Sequence, residues 1–258
     1  MRSGTIVPFI ACSIVLATAC AADPRIDPVK AAVQSSLPSD VAQAVKARID
    51  ANPSRFLSLL DQAMKDGSAD AFMLRRVDKA RALPDGYAPS DLVALDGTGL
   101  SVSRAGHKLR RPAYLALKAM DAAARADGVT LLVSSAYRSY EYQQGVWDRG
   151  VKAEGEAATA ASIAPPGHSQ HQLGMAIDFG SIDDSFAETR ASRWLVANAA
   201  RFGFSLSYPK GLEPVTGYKW ESWHYRYIGA AACSLQAEYF GGIQQYLILF
   251  LEATGAKK

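Results

Sequence analysis

The apolar positions in the front part of the chain, from Asp27 to about Lys79, recur at the spacing of a helix. The sequence Pro38-Ser39-Asp40 is typical of a helix start and predicts a helix that runs to about Ile49. A second start is predicted at Asn52-Pro53-Ser54, and the apolar side of the helix after it consists of Phe56, Leu57, Leu59, Leu60 and Met64. Acids and bases alternate here as on a solvated helix face. We therefore interpret residues 23–82 as a helical N-terminal extension without catalytic residues.

Beyond about residue 100, short helices and strands alternate without a regular strand-helix-strand repeat. The segment from Met175 to Phe179 has period two, so Met175, Ile177 and Phe179 share one face of a strand and Asp178 lies on the other. The other predicted elements are a helix at Pro112–Ala126, a buried strand at Val129–Val133, a surface loop at Ala153–Ala164, a helix at Arg190–Ala200, an extended segment at Trp223–Ile228 and a helix at Ala230–Thr254. This pattern favours an α+β domain over residues 83–258, with a small antiparallel or mixed central sheet flanked by helices.

Composition narrows the class of protein only a little. The chain has 258 residues, of which 49% are hydrophobic and 21% charged, so it can bury a core without disulfides and is neither collagen-like nor disordered. A net charge of +3 gives no basis for a nucleic-acid partner. Of the three cysteines, Cys233 has no obvious partner, and we expect it to be a small buried residue of an Ala-rich helix.

Residues 1–22 have the pattern of a secretory signal peptide. The apolar run from Ile6 to Ala19 is shorter than the ~20 residues of a membrane-spanning helix and is interrupted by polar and proline residues. Cleavage before Cys20 would resemble bacterial lipoprotein processing, in which that cysteine receives the lipid, whereas ordinary cleavage would follow Ala19 or Ala22. We therefore expect an exported protein of the periplasm or cell envelope, with membrane attachment through Cys20 if that residue is lipidated.

Three of the four histidines lie in two short segments, Pro166–Gly180 and Trp220–Gly229. A hydrolytic zinc site commonly has three protein ligands and one position open for water. A carboxylate outside the ligand set can take a proton from that water and hand it to the leaving amine. The ligands can be supplied by His171, Asp178 and His224, and the base by Glu221.

Each of these residues also has an ordinary structural interpretation. His171 would suit a surface loop, Asp178 a strand end and His224 the core. Glu221 and Arg226 would form a surface ion pair. The residue pattern alone leaves both interpretations open.

The alternation of side chains along a strand limits where the candidate base can lie. In one continuous strand, Glu221 and His224 would point to opposite faces of the sheet. If both act on the same site, Glu221 must lie on a turn or bulge before the strand.

The spacing of these residues resembles a known family. Ser169-x-His171-x-x-Gly174-x-Ala176-x-Asp178 followed by Glu221-x-x-His224 is similar to the zinc-dependent D-alanyl-D-alanine carboxypeptidases of the VanY type, a group related to D-Ala-D-Ala dipeptidases. The resemblance covers roughly residues 83–229. It also includes Ser135-x-Tyr137-Arg138-Ser139, Gln143 and the run Trp223-His224-Tyr225-Arg226-Tyr227-Ile228-Gly229, although Ala136 stands where the family usually has glycine. The resemblance implies a Hedgehog/DD-peptidase-like fold.

By position, the resemblance implies one Zn²⁺ per chain, held by His171, Asp178 and His224, with Glu221 as general base. Arg138 is implied to be a catalytic residue that pairs with the substrate's terminal carboxylate or with the developing oxyanion. Implied substrate-side residues are Ser169, Gln143, Tyr137 and Trp223. For the first two a structural hydrogen-bonding role is an equal alternative, and for at least one of the last two core packing is the better interpretation.

The two remaining histidines have lesser expected roles. His168 is expected to act beside the site or as a polar loop residue. His107, which lies outside the motifs, is expected to be exposed.

The implied reaction is hydrolysis of the terminal D-Ala-D-Ala bond of peptidoglycan stem peptides by a zinc-bound water that Glu221 activates. Alternatives are an L,D-carboxypeptidase or a peptidoglycan endopeptidase with the same zinc site, or a non-hydrolytic envelope-binding module. The intact Glu221 argues against the last alternative, because a binding module needs no base. No protein partner can be inferred.

Overall fold

The computed structural model describes residues 23–255, so the predicted signal peptide and Cys20 lie outside the described residues. Ten α-helices lie within this range: α1 (Ile26–Ser36), α2 (Ser39–Ala51), α3 (Pro53–Ser68), α4 (Arg111–Ala126), α5 (Tyr140–Glu154), α6 (Glu156–Ala160), α7 (Arg190–Asn198), α8 (Glu213–Thr216), α9 (Ala230–Tyr239) and α10 (Gln244–Ala253). The strands are β1 (Leu92–Ala94), β2 (Ser101–Val102), β3 (Lys108–Arg110), β4 (Leu132–Ser135), β5 (Ala176–Phe179), β6 (Phe204–Leu206) and β7 (His224–Tyr227).

Five of these strands form the central sheet, in the order β2-β4-β5-β7-β6. The pair β2–β4 is parallel, and the other three pairs are antiparallel. A separate two-stranded antiparallel sheet consists of β1 and β3. This arrangement confirms the predicted α+β class with a small mixed sheet.

In the described part of the chain, the buried apolar side chains form two cores. The first, here called the terminal-helix core, joins buried side chains of α1–α3, α9 and α10 with Leu173, Met175 and Ile228. The second, called the sheet core, contains side chains of α4, β4, β5 and α7, among them Ile177 and Phe179. Cys233 lies buried in the terminal-helix core as a free thiol, as expected for this residue.

Helix α2 begins at Ser39 without a side-chain cap, whereas the start of α3 follows local capping chemistry. The side-chain oxygen of Asn52 accepts a hydrogen bond from the backbone N–H of Arg55, and Pro53 occupies the first turn of α3. The predicted helix over Pro112–Ala126 is confirmed as α4.

Four boundary predictions were wrong. The expected strand at Val129–Val133 lies later, as β4, and Val129 and Leu131 are buried in the connection before it. The expected loop at Ala153–Ala164 contains the short helix α6, and the predicted helix Ala230–Thr254 is divided where Gly241 and Gly242 adopt positive φ. Met175 precedes β5 and packs in the terminal-helix core, not beside Ile177 and Phe179. Within residues 23–255, no helix combines the length and apolar character that a membrane span requires.

Candidate active site

Three polar side chains lie side by side across the central sheet. The strand register places Ser135 of β4 opposite Asp178 of β5, and Asp178 opposite His224 of β7. Directly opposed residues project from the same face of a sheet, so strand pairing alone brings Asp178 and His224 together across 46 residues of sequence.

The third candidate ligand comes from a tight turn beside this row. His171 lies in a 3₁₀ helix, Gln170–Leu173, whose start is capped because the hydroxyl of Ser169 accepts a hydrogen bond from the His171 N–H. Gly174 ends this helix with φ +72°, and a Cβ at that position would lie 2.8 Å from Cγ of Arg110. Glycine is therefore required for the chain to turn from His171 into the strand that carries Asp178.

Hydrogen bonds fix the orientation of both imidazole rings. Nδ1 of His171 lies 2.7 Å from the carbonyl oxygen of Ala136 and must donate to it, which leaves Nε2 as an acceptor. Nε2 of His224 lies 3.2 Å from the side-chain oxygen of Gln170, which leaves Nδ1 as an acceptor. Ala136 has no positive φ, so the family's usual glycine is not needed here.

The two acceptor nitrogens converge on one carboxylate. Nε2 of His171 lies 3.0 Å from Oδ2 of Asp178, and Nδ1 of His224 lies 2.9 Å from Oδ1. The candidate ligand atoms of the three residues all lie within 4.8 Å of one another, and all three side chains are buried. Two ring nitrogens that act as acceptors and a carboxylate thus offer lone pairs to one point, and this set of donors can hold a metal cation.

The protonation states agree with that geometry. Burial, followed by the charge of Arg138, lowers the pKa of His171 to about 4. The pKa of Asp178 is held well below its usual range, because the two histidines outweigh the opposing effect of burial. At neutral pH His171 is therefore neutral and Asp178 is charged, as metal ligands must be.

Glu221 lies on the turn that enters β7, as strand alternation requires. The N–H of His224 donates to the carbonyl oxygen of Glu221, and the Glu221 carboxylate lies 3.6 Å from Nδ1 of His224. Burial and the charge of Asp178 raise the pKa of Glu221 well above its usual range. The carboxylate therefore stands beside the ligand cluster without belonging to it, and its environment favours proton uptake.

Arg138 contacts the cluster from the other side. Its Nη2 lies 2.9 Å from Oδ2 of Asp178, its Nε donates to Ser135 at 3.0 Å, and its Nη1 lies 3.5 Å from the side-chain oxygen of Gln143. The guanidinium also lines the cleft above the cluster. It can thus hold Asp178 in place while it presents its remaining N–H groups to a bound anion.

The cleft has a volume of about 230 Å³ and is lined by most of the predicted substrate-side residues. Ser169, Gln143 and Trp223 lie on its wall with the candidate ligands, and Gln143 also donates to the carbonyl oxygen of Ala164 at 2.7 Å. Tyr137 does not lie there. It lines a separate cavity together with His168, whose Nδ1 is 2.8 Å from the carbonyl oxygen of Asp78.

The expected exposure of His107 was wrong. Only 3% of its surface is exposed, and its Nε2 lies 3.3 Å from the hydroxyl of Ser103. Burial lowers the pKa of this histidine.

Sequence reasoning also missed several residues of the site. Gln170 orients His224, and Tyr208 packs its ring with a centroid distance of 4.8 Å against the same imidazole. Tyr218 lies on the cleft wall beside them. Gln170 could have been suspected from its position between Ser169 and His171. Tyr208 and Tyr218 lie outside the family-like motifs, so no signal in the sequence pointed to them.

The fold and the site together define an α+β protein with a candidate mononuclear metal centre in an open cleft. The family model described as VanY, D-alanyl-D-alanine carboxypeptidase, matches residues 106–230. YodJ of Bacillus subtilis (strain 168) is 38% identical over 171 residues, which are 63% of this chain and 62% of that protein. The chain thus spans less than two thirds of that relative.

Two solved structures are similar over more of their length. The LdcB LD-carboxypeptidase has 33% sequence identity and a TM-score of 0.61, and the match covers 72% of this chain and 87% of that one. A mutant of the vancomycin resistance D,D-pentapeptidase VanY from a VanB-type cassette, in complex with Zn(II), has 33% identity and a TM-score of 0.57. That match covers 68% of this chain and 99% of the other. The chain belongs to the VanY family of D-alanyl-D-alanine carboxypeptidases.

Proposed function

We propose that this protein is a zinc-dependent carboxypeptidase that removes the terminal D-Ala from stem peptides of peptidoglycan. The observation that carries the proposal is the convergence of His171, Asp178 and His224 on one point, with the Glu221 carboxylate beside it. Family membership supports the reaction class, and the Zn(II) complex of a VanY relative supports the metal. We propose one zinc ion per chain.

The division of roles follows from the positions of the side chains. When bound, zinc polarises the scissile carbonyl and lowers the pKa of the attacking water. Glu221 takes a proton from that water as the new C–O bond forms. It then donates the proton to the amine nitrogen as the C–N bond breaks, so the carboxylate is regenerated. Arg138 pairs with the terminal carboxylate of the substrate or with the developing oxyanion.

Two variants separate the base from the ligands. Glu221→Ala is expected to retain zinc and to lose kcat by about a hundredfold to ten-thousandfold, the usual contribution of a general acid–base group. His224→Ala is expected to lose both zinc and activity. Metal content and release of D-alanine from a pentapeptide stem measure the two effects. Glu188→Ala is the control, because Glu188 is exposed and lies outside the cleft, and it should retain both zinc and activity. Full activity in Glu221→Ala would refute the assigned base.

A second candidate reaction is L,D-carboxypeptidase activity on tetrapeptide stems. The observation that favours it is the similarity to LdcB, which equals the similarity to VanY in sequence identity. Release of D-alanine from tetrapeptide but not from pentapeptide substrates would select this alternative. Zinc binding without hydrolysis of penta-, tetra- or cross-linked peptides would instead favour a binding module.

We also propose that the protein acts outside the cytoplasm, in the periplasm or cell envelope. The support is the leader pattern of residues 1–22. Attachment to the membrane through Cys20 is part of this proposal. Metabolic labelling with a fatty acid tests it, because label must enter the native protein and be absent from the Cys20→Ala variant.

A further inference from the structure

We infer that a groove beside Glu221 binds the acyl part of an acidic peptide substrate, with Lys210 and Lys219 as partners of its carboxylates. This inference rests on the proposed function and names the feature of the substrate that the site would select. Neither lysine belongs to the candidate metal ligands, to the candidate base or to the predicted substrate-side residues.

The groove is continuous with the metal cleft. It has a volume of about 520 Å³, and five residues lie on the walls of both spaces: Ser162, Ile163, Ile182, Glu221 and Trp223. A peptide that occupies the cleft can therefore extend into the groove past Glu221 without crossing a wall. Ile182 is 51% exposed at this boundary, which leaves apolar surface for a substrate to cover.

The position of Arg138 sets the direction of the peptide. Arg138, Gln143 and Ser169 line the cleft but not the groove. If Arg138 receives the terminal carboxylate, the leaving residue occupies that part of the cleft, and the acyl part must run the other way. The groove begins beside Glu221, where the scissile bond must lie.

The far part of the groove contains two cations next to an aromatic ring. Nζ of Lys210 lies 4.9 Å from the centroid of the Trp220 ring. Lys219 adjoins Trp220, and its backbone N–H donates to the carbonyl oxygen of Ala161, which joins the two sides of the groove. Within residues 23–255, neither ammonium group forms an ion pair with a carboxylate of the protein. Both are therefore available to a ligand.

The groove also contains the carboxylates of Asp184 and Glu213, so its walls carry both signs of charge. A stem peptide also carries charges of both signs. Its second residue has a free α-carboxylate, and its third residue is often a diamino acid with a free amino group. An extended peptide advances about 3.3–3.6 Å per residue, so these groups lie about 7–10 Å from the scissile bond. That span takes them beyond Glu221 into the groove.

The test uses two pentapeptide stems that differ only at the second residue, where the α-carboxylate is either free or amidated. Wild-type protein is expected to have a KM about tenfold lower for the free acid. Lys210→Gln and Lys219→Gln should each reduce this preference by about threefold, and the double variant should abolish it, because an exposed ion pair contributes up to ~1 kcal/mol. The preference should also fall as salt concentration rises.

Lys118→Gln is the matched control, because Lys118 also lies over an aromatic ring, that of Tyr114, on a different surface. It should leave the preference for the free acid unchanged. Retention of the preference in the double variant, or its absence in wild-type protein, would overturn the inference.

A binding measurement separates this inference from the proposed reaction. Calorimetry with the tetrapeptide product of the pentapeptide stem, as free acid and as amide at the second residue, requires no turnover and can be made with and without zinc. If no substrate is hydrolysed but the free acid binds more tightly through the two lysines, the reaction is wrong and the groove assignment stands. Equal binding of acid and amide overturns the groove assignment whatever the activity.

Discussion

The guanidinium Nη2 of Arg138 lies 2.9 Å from Oδ2 of Asp178. Oδ2 of Asp178, the carboxylate oxygen that faces His171, thus also accepts a charge-assisted hydrogen bond from Arg138 on the cleft wall. The residue expected to receive the substrate is therefore fixed to a candidate metal ligand, so binding of substrate and orientation of the ligand are linked through one side chain.

Arg138→Lys should lower kcat/KM by about tenfold to a hundredfold. Lysine keeps the charge, but its single ammonium cannot contact Asp178, Ser135 and a substrate anion in the fixed geometry of a guanidinium. The loss corresponds to one charge-assisted hydrogen bond, about 1.5–3 kcal/mol. Steady-state kinetics on a pentapeptide stem measure it. Arg125→Lys, at the Arg125–Asp121 pair on α4, is the control, and an equal loss in both variants would contradict the assignment.

Gln170→Leu should weaken zinc binding by about tenfold to a hundredfold, the usual effect of removing a hydrogen bond to a metal-bound histidine. The substitution removes the partner of Nε2 of His224 and frees the ring to change its orientation. Competition with a chromophoric chelator measures the affinity. Gln236→Leu removes another buried amide, which bonds Ser205 at 2.8 Å away from the cluster, and should leave zinc affinity unchanged. Equal affinities in both variants would show that Gln170 does not orient the ligand.

Asp78→Asn should destabilise the protein at neutral pH by about 1–3 kcal/mol, because it weakens charge-assisted hydrogen bonds. Burial acts to raise the pKa of Asp78, but hydrogen bonds from Arg76, Gln245 and the N–H of Ala80 outweigh it and lower the pKa below 3.8. A lowered pKa stabilises the fold above the unfolded-state value, and this contribution is lost as pH falls through the folded-state value.

The difference in unfolding free energy between wild-type and Asp78→Asn protein should therefore shrink as pH falls below about 4. Urea denaturation at pH 7 and at low pH measures it. A difference that stays constant over this range would mean that the charge of Asp78 makes no contribution.

The site could be predicted from the sequence to the extent that it depends on spacing along one segment. Period-two alternation placed Asp178 on the strand face opposite Ile177 and Phe179. The same alternation required Glu221 to lie on a turn or bulge before the strand that carries His224. Both features depend on neighbouring residues in the chain, which is why pattern alone was sufficient. The pairing of Asp178 with His224 also needed a family resemblance, because strand register between distant segments has no local signature.

Features that depend on packing between loops could not be predicted. His107 lies between Gly106 and Lys108, where no apolar period indicates burial. Lys210 and Lys219 are nine residues apart in a segment rich in turns, and only the fold places both on one groove. The division of the C-terminal helix at Gly241 and Gly242 was visible as a glycine pair, but the apolar residues on both sides favoured one continuous helix.

The terminal-helix core has a consequence for the order of events during synthesis. Helix α1 packs against α10, so the first described helix meets its partner surface only after more than 200 further residues have been synthesised, up to Ala253 at the end of α10. Contacts between such distant segments form late and slowly. Leu173, Met175 and Ile228, which lie close in sequence to the candidate ligands, belong to the same core. A chain that has not yet reached α10 therefore lacks part of the packing that supports the segments carrying the candidate ligands, so their final geometry can form only after α10 has been synthesised.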